Sequence, residues 1–553
     1  MSVTVQLPSG QSVNYPAGTR VEEILQHGEF AAVQQQPVVA ALVNGALVSL
    51  TYRIEVNSSL QAVLLDTRLG AKVYRRSLCF LLAIAAKQLF PQRRLVIGHS
   101  LGRGYFYYFE GTSEVAPDDI EKLKARMQEI VTQGCSIRRK AISYPEAVQY
   151  FEKNNQPDTV LLLKNRNDQK IAVFACGEFL DLAHAPLVPN TSMLNVFDII
   201  SYPPGFLLRY PPWNQPQQLA PFQENPVLFA IYREYKDWGK ILNVRCVGHL
   251  NDLVSSRKVR QFIQVAEALH DKKIALIADK ICEHRDEAKL ILIAGPSSSG
   301  KTTFAKKLAV QLQVLGRNPF PISLDDYFLP REYTPLDAEG NYDFENLRAI
   351  DVELMNADLL RLMQGEEVFL PRFDFHTGTR LAATRAEKLP DRAIIILEGI
   401  HGLNDELTPA IPREQKYKIY VSALTQLNLD DHNRISTTEN RLLRRIVRDS
   451  QFRGHSALET LSMWDSVRRG ENINIFPFQN SADSAFNSAL DYELSVLKVY
   501  AEPLLKSVKP TQEGFHEAVQ LHSFLANFTP IPPSWVPEYS ILREFIGESS
   551  FKY

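Results

Sequence analysis

Residues Lys289 to Leu315 read KLILIAGPSSSGKTTFAKKLAVQLQVL. Leu290 to Ala294 is a short, unbroken apolar run, the pattern of a strand buried on both faces. Gly295-Pro-Ser-Ser-Ser-Gly300-Lys301-Thr302 then matches GxxxxGK[ST], and Phe304, Leu308, Leu312 and Leu315 recur at helical spacing. Strand, glycine-bounded loop and helix, in that order, turn a short pattern into a phosphate-binding P-loop. Glycine lets the backbone wrap a polyphosphate, and the free N–H groups at the helix start point at it. The expected nucleotide-binding set is Gly295, Ser297, Ser298, Ser299, Gly300, Lys301, Thr302 and Thr303. Lys301 would reach the β- and γ-phosphates, and the Thr302 hydroxyl would sit on Mg²⁺. The plainer alternative, a Gly/Ser-rich turn before an ordinary helix, does not need both the strand and the helix. The chain is expected to bind a nucleoside triphosphate.

At 553 residues the chain is too long for one core. Its 45% hydrophobic and 22% charged residues are those of a soluble globular protein. A net charge of −2 gives no global argument for nucleic acid or membrane. The five cysteines are scattered and form no CxxC pair, so reduced thiols and no cysteine-built zinc site are expected. The N-terminus lacks a basic-then-apolar leader, and the most apolar stretch, Leu78 to Ala86, is about half the length a bilayer needs. A cytoplasmic location without membrane contact is the expectation.

Residues 1–65 read as a small β-rich unit. Val3, Val5 and Leu7 alternate with polar residues, Pro8-Ser9-Gly10 supplies a turn, and Thr19 is the expected N-cap of a helix over Val21–Gln26. Val38–Val43, Asn44-Gly45 and Ala46–Leu50 predict a hairpin, since Asn-Gly suits the two left-handed positions of a type I′ turn. The pattern resembles the TGS domain, a ubiquitin-like β-grasp fold of threonyl-tRNA synthetases and certain GTPases. Residues 66–240 resemble the second N-terminal domain of threonyl-tRNA synthetases, an α+β editing domain, through AKQLFP (86–91), VIG (96–98), GYFYY (104–108) and LVPNT (187–191). In that family an HxxxH pair and a later Cys and His bind metal, and imidazole with thiolate suits zinc. Here those positions hold Arg76, Phe80, Ala183 and Leu187, none a ligand. No zinc is expected, and the nearby His99 and His184 are read as hydrogen-bonded or surface histidines. The proline- and aromatic-rich residues 200–240 are read as an irregular connector packed between domains, and residues 241–284 as a helical connector.

Beyond the loop, Pro321–Leu324 is a strand that delivers Asp325 and Asp326, and Ala393–Leu397 a strand that delivers Glu398. Carboxyl ends of such strands are where open α/β sheets bind ligands, and a carboxylate there can serve Mg²⁺. Apolar strands alternating with helical segments predict a parallel, doubly wound sheet. GPSSSGKTT, SLDDYF, NYDFEN, RFDFHTGTR, ILEGIH and RLLRRIVRDSQFRG occur in the order found in uridine–cytidine kinases, relatives of phosphoribulokinase, over residues 285–500. The resemblance implies ATP as donor, Asp325 as the base for a 5′-hydroxyl, Asp343 on ribose hydroxyls and Glu398 on the metal. Asp326 is the rival base, which strand alternation would aim elsewhere.

Arg441, Arg444, Arg445 and Arg448 share one helix face. Such a face is ordinarily solvated; the resemblance makes Arg445, Arg448 and Arg453 a lid over the transferring phosphoryl group. Where the family reads the pyrimidine, this chain has Phe373, Gly378, His455 and Met463. That implies a changed base geometry, a pocket rearranged around His376 or another acceptor, unless the loop alignment slips by a residue or two. The substrate-side set is Asp343, Phe373, His376 and Arg453. The tail, 501–553, is expected to be helical and without chemistry. The leading expectation is a nucleoside kinase. The alternative is a regulatory P-loop ATPase that contacts RNA or a ribosomal partner through residues 1–240. A homo-oligomer is left open.

Overall fold

The computed structural model describes residues 2–26, 37–283, 288–336, 340, 342–374, 377–381 and 386–552. Alternation at Val3, Val5 and Leu7 does build a strand, Ser2–Gln6, whose buried side meets Val21, Ile24 and Leu60. The first sheet has the order Ser12–Pro16, Ser2–Gln6, Ser58–Leu64, Val38–Val43, Ala46–Val48, with Ser2–Gln6 parallel to Ser58–Leu64. Asn44 (φ 49°) and Gly45 (φ 74°) both take the left-handed conformation the hairpin demands. Thr19 is not the N-cap. Its hydroxyl donates to the Pro16 carbonyl at 2.6 Å, and the helix Val21–Leu25 starts at Arg20 without a side-chain cap.

In the second unit the long helix Arg68–Leu89 buries Leu78, Leu81 and Ala85. The same core includes Ile97, Tyr107 and Phe206 of an antiparallel sheet of Asp198–Tyr202, Gly205–Arg209, Gly104–Phe109 and Leu95–Leu101. Arg138–Ser143, Lys170–Cys176 and Phe179–Leu182 make a separate three-stranded sheet. The expected irregular connector over 200–240 is therefore corrected. Its start is a β-hairpin and its end the helix Pro226–Leu242, opened by Pro226 and capped by the Asn225 side chain; between them lies the irregular stretch. Prolines at a helix start and beside a hairpin punctuate regular structure as readily as they break it.

Helices Val247–Ser255 and Val259–Glu283 lead into the third unit. Its sheet is wholly parallel, in the order Asn318–Ser323, Ala393–Glu398, Leu290–Ala294, Lys416–Ser422, Ser484–Asn487. The central strand is entirely buried, as its unbroken apolar run predicts. One hydrophobic cluster runs from Phe151 and Val173 through Val247, Ile274 and Ile293 to Phe545, so the second unit, connector, sheet and tail share a core. Among the described residues no helix is long and apolar enough to cross a membrane.

The helix Thr437–Phe452 departs from expectation: Arg441 and Arg444 are not solvated but 2% and 0% exposed. Arg444 pairs with buried Glu493 and donates to the Ser488 carbonyl at 2.9 Å. Leu442, Leu443, Ile446 and Val447 fill the remaining core side. Removing one partner of such a pair strands the other charge in the interior. Arg444→Met is expected to lower unfolding stability by about 3–5 kcal/mol, checked by urea unfolding followed by intrinsic fluorescence; a loss under about 1 kcal/mol would show the pair is no different from a surface one.

Candidate active site

The loop Gly295–Gly300 is shaped by close approach. A Cβ on Gly295 would lie 1.9 Å from the Val421 carbonyl oxygen, and Gly300 sits at φ +81°. Ser298 accepts φ 56°, unusual for a residue with a Cβ, within a surround that fixes it. The grip is on the carbonyls. Arg441 Nε donates to Ser297 O at 2.9 Å, Arg444 NH1 to Ser298 O at 3.3 Å, and the Ser488 hydroxyl to Ser299 O. Glu471, paired with Arg441, accepts from Ser297 N–H at 2.9 Å. Ser298 Oγ and Ser299 Oγ are buried without hydrogen-bond partners, a feature that suits a loop made for an anion's oxygens.

Lys301 opens the helix Lys301–Val314 and donates to the Pro296 carbonyl at 3.3 Å. Thr302 Oγ1 donates to Glu398 Oε1 at 3.0 Å. A hydroxyl beside a carboxylate is a hard-oxygen pair that fits Mg²⁺, so Thr302 and Glu398 are the residues here that would hold it. Burial lifts the Glu398 carboxyl to about 7; Glu544 and Asp325 reinforce this, while Lys301 and the Thr302 hydroxyl oppose it. Glu345, from NYDFEN, is likewise lifted to about 7 by burial and by Glu471, against the pull of Arg445 and Lys301.

Asp325 and Asp326 do not continue the strand; they lie in the 3-10 turn Leu324–Tyr327. Asp326 Oδ1 accepts from Phe373 N–H at 3.3 Å and so ties the ribbon Arg372–Asp374/Thr379–Leu381 to the sheet. It is this tie, not strand alternation, that separates the two acids. Asp325 is exposed to solvent. Enclosing protein raises its carboxyl, Lys301 lowers it and Asp326 raises it again; contact with water tempers the net rise.

Asp343 is half-buried in a turn, its N–H on the Pro335 carbonyl at 2.7 Å and its Oδ2 accepting from Asn346 at 3.3 Å. Phe373 is 7% exposed and packs 5.7 Å from the Phe328 ring, so its side chain belongs to the core. Gly378 has φ +69°, and a Cβ there would lie 2.8 Å from Arg331 Nε. His376 lies outside the described residues. Arg445 NH1 donates to Ser297 Oγ at 2.7 Å. Arg448 clasps Asp449 Oδ1 with Nε and NH2 at 2.9 and 2.8 Å, while Arg445 Nε and Arg453 NH1 reach Asp449 at 3.2 and 3.6 Å. One wholly buried aspartate thus gathers the three arginines expected of a lid. Sequence reasoning missed Asp449, Glu471 and Glu345, all inside quoted or adjacent helical stretches. It also missed Glu544 of the tail, for which no local motif exists. His455 donates its N–H to the Asp449 carbonyl at 3.2 Å, and Met463 lies half-buried on the helix Ala457–Asn474.

A concavity lies where the N-terminal half meets the loop before the arginine helix. Arg76, Phe80, Ala183 and Leu187 converge on this cavity of about 410 Å³, together with His432 and Arg434. Its histidines are engaged: His184 with Asp430 at 2.6 Å and His432 with Asp181 at 3.3 Å. His99 bonds the Ser100 carbonyl at 2.8 Å and Thr437 Oγ1 at 3.1 Å. Elsewhere Asp158, Cys246 and His249 bring ligand atoms within 4.8 Å of one another, a cluster the sequence reading passed over. Arg94 pairs with Asp158 at 2.5 Å and would repel a cation there.

Residues 290–495 match the Phosphoribulokinase / Uridine kinase family. The N-terminal region matches threonine–tRNA ligases: ligase 2 of Bacillus subtilis at 31% identity over 198 residues, 36% of this chain and 31% of that protein, and the ligase of Symbiobacterium thermophilum at 33% over 201 residues, 36% and 30%. The chain therefore spans under a third of the length of these relatives. A solved protein described as a possible uridine kinase from Bacillus stearothermophilus is similar at 20% identity, over 39% of this chain and 98% of its own, with a TM-score of 0.27. The match to this family model falls on the wholly parallel sheet and the P-loop.

A carboxyl group near 7 must give up its proton before it can face a cation. Divalent-metal affinity, measured calorimetrically with ADP present, is expected to fall about tenfold per pH unit below about pH 7 and to level off above it. Glu398→Gln should flatten that profile; a wild-type profile flat from about pH 6 to about pH 8 would remove Glu398 from the metal.

Proposed function

We propose that the chain is an ATP- and Mg²⁺-dependent kinase that transfers the γ-phosphoryl group to the 5′-hydroxyl of a nucleoside, uridine or cytidine by family resemblance. The observation that supports it is the convergence of Lys301, the Thr302–Glu398 pair and Asp325 at the carboxyl ends of neighbouring parallel strands. Asp325 accepts the hydroxyl proton as the acceptor oxygen bonds to the γ-phosphorus and the bond to the ADP oxygen breaks. Lys301, Arg445, Arg448 and Arg453 neutralise charge on the moving group, and Asp343 orients the ribose. Thr302 and Glu398 would hold Mg²⁺, which would supply positive charge against the phosphates.

On the acceptor side, Gly378 against Arg331 and Phe373 in the core supply no side chain to a base edge. The acceptor's base is read differently here than in uridine–cytidine kinases. Phosphoryl transfer assayed over a panel of nucleosides tests the reading, and no turnover of any of them would sink it. Lys301→Ala and Asp325→Asn are each expected to cut turnover at least about 100-fold, with nucleotide binding kept in the second. Near-normal turnover in Asp325→Asn would take the base role away from Asp325.

A second reading concerns residues 1–240, where the first sheet's order supports a ubiquitin-like β-grasp unit. The similarity to threonine–tRNA ligases and a cavity shared with the loop before the arginine helix favour an RNA contact that regulates the kinase half, with the editing chemistry lost. Binding of tRNA that weakens with salt would support it. Salt-independent or absent binding leaves a scaffold, and stoichiometric zinc by elemental analysis would overturn the loss of the editing site.

A further inference from the structure

The C-terminal segment sits against the phosphate loop. Ile541, Leu542, Phe545 and Ile546 are buried. Ile541 covers Gly300, where a Cβ would lie 2.6 Å from its Cγ2, and the Phe545 ring lies 4.9 Å from the Arg444 guanidinium. Arg543 closes the turn, donating to the Val536 and Pro533 carbonyls at 2.7 and 3.2 Å and pairing with Glu548 at 3.0 Å. So anchored, the turn delivers one carboxylate. Glu544 Oε2 accepts from Thr303 N–H at 3.1 Å and from Thr303 Oγ1 at 2.7 Å.

Thr303 lies in the first turn of the P-loop helix, where N–H groups have no intrahelical acceptor and the helix dipole favours an anion. These are the donors a P-loop offers to phosphate. One N–H and one hydroxyl proton cannot serve a carboxylate and a phosphate oxygen together, and two anions in one seat repel.

We propose that Glu544 is an internal competitor for the phosphates of the bound nucleotide. Its carboxylate holds Thr303 in the nucleotide-free protein and gives up that seat when a nucleoside polyphosphate binds, which loosens the backbone turn that carries it. Donor affinity is thereby set partly by the tail. The inference rests on the kinase reading only in taking the loop as the donor site.

The test titrates a non-hydrolysable ATP analogue with Mg²⁺ into the full-length protein and its Glu544→Gln variant, with Lys301→Ala as the control that loses binding. Gln keeps the size and an acceptor oxygen but not the charge, so affinity is expected to rise about tenfold. In the wild type, backbone amides of residues 543–547 should exchange faster with solvent once the analogue is bound; this readout decides the matter if the variant does not fold. Equal or weaker binding by Glu544→Gln, or a turn better protected by nucleotide, overturns the competition and leaves the kinase reading standing. Binding by neither protein removes the donor site and both ideas with it.

Discussion

Two buried guanidinium groups hold the phosphate loop in place. Arg441 and Arg444 each pair with an interior carboxylate, Glu471 and Glu493, and each donates to a carbonyl of the loop serines. An ion pair in the interior gains little net stability, because stripping water from both charges costs about what their attraction returns. Its consequence is geometric: a fork of fixed donors allows one loop conformation. The helix that carries these two arginines also carries Arg445, which donates to the Ser297 hydroxyl, and Arg448, so one rigid element sets both groups of arginines.

The residues just before that helix tie the two halves of the chain together. Asp431, a few residues before it, is 1% exposed and accepts from Arg94 at 2.6 Å and from Thr159 N–H at 2.9 Å. Arg94 is shared with Asp158 and Glu110. Asn428 in that loop donates to the Ile97 carbonyl at 2.8 Å, and its own carbonyl accepts from Val247 N–H at 3.0 Å. The N-terminal cavity and the arginine helix thus meet across a few residues of loop.

Much of the fold is legible in the sequence. Unbroken apolar runs at Leu290–Ala294 and Ala393–Leu397 have one stable solution, a strand covered on both faces, and Asn44-Gly45 has one good turn. The connector at 200–240 was not legible, because prolines start helices and flank hairpins as well as breaking both. Nor was the fate of the arginine face: a periodic charged stripe looks the same whether it meets water or buried carboxylates from the distant positions 471 and 493.

The sequence by itself determined the nature of the donor site, since a phosphate cradle is built from backbone and its local signature lies within a few consecutive residues. It also determined that Arg76, Phe80, Ala183 and Leu187 cannot hold a metal, which depends on side-chain chemistry alone. Only the tertiary structure decided which of Asp325 and Asp326 is free, because Asp326 is engaged by the N–H of Phe373, 47 positions away. Only it decided that Glu544 lies on Thr303, 241 positions apart in the chain. Contacts between such distant positions are set by how whole elements pack, and no local periodicity records them.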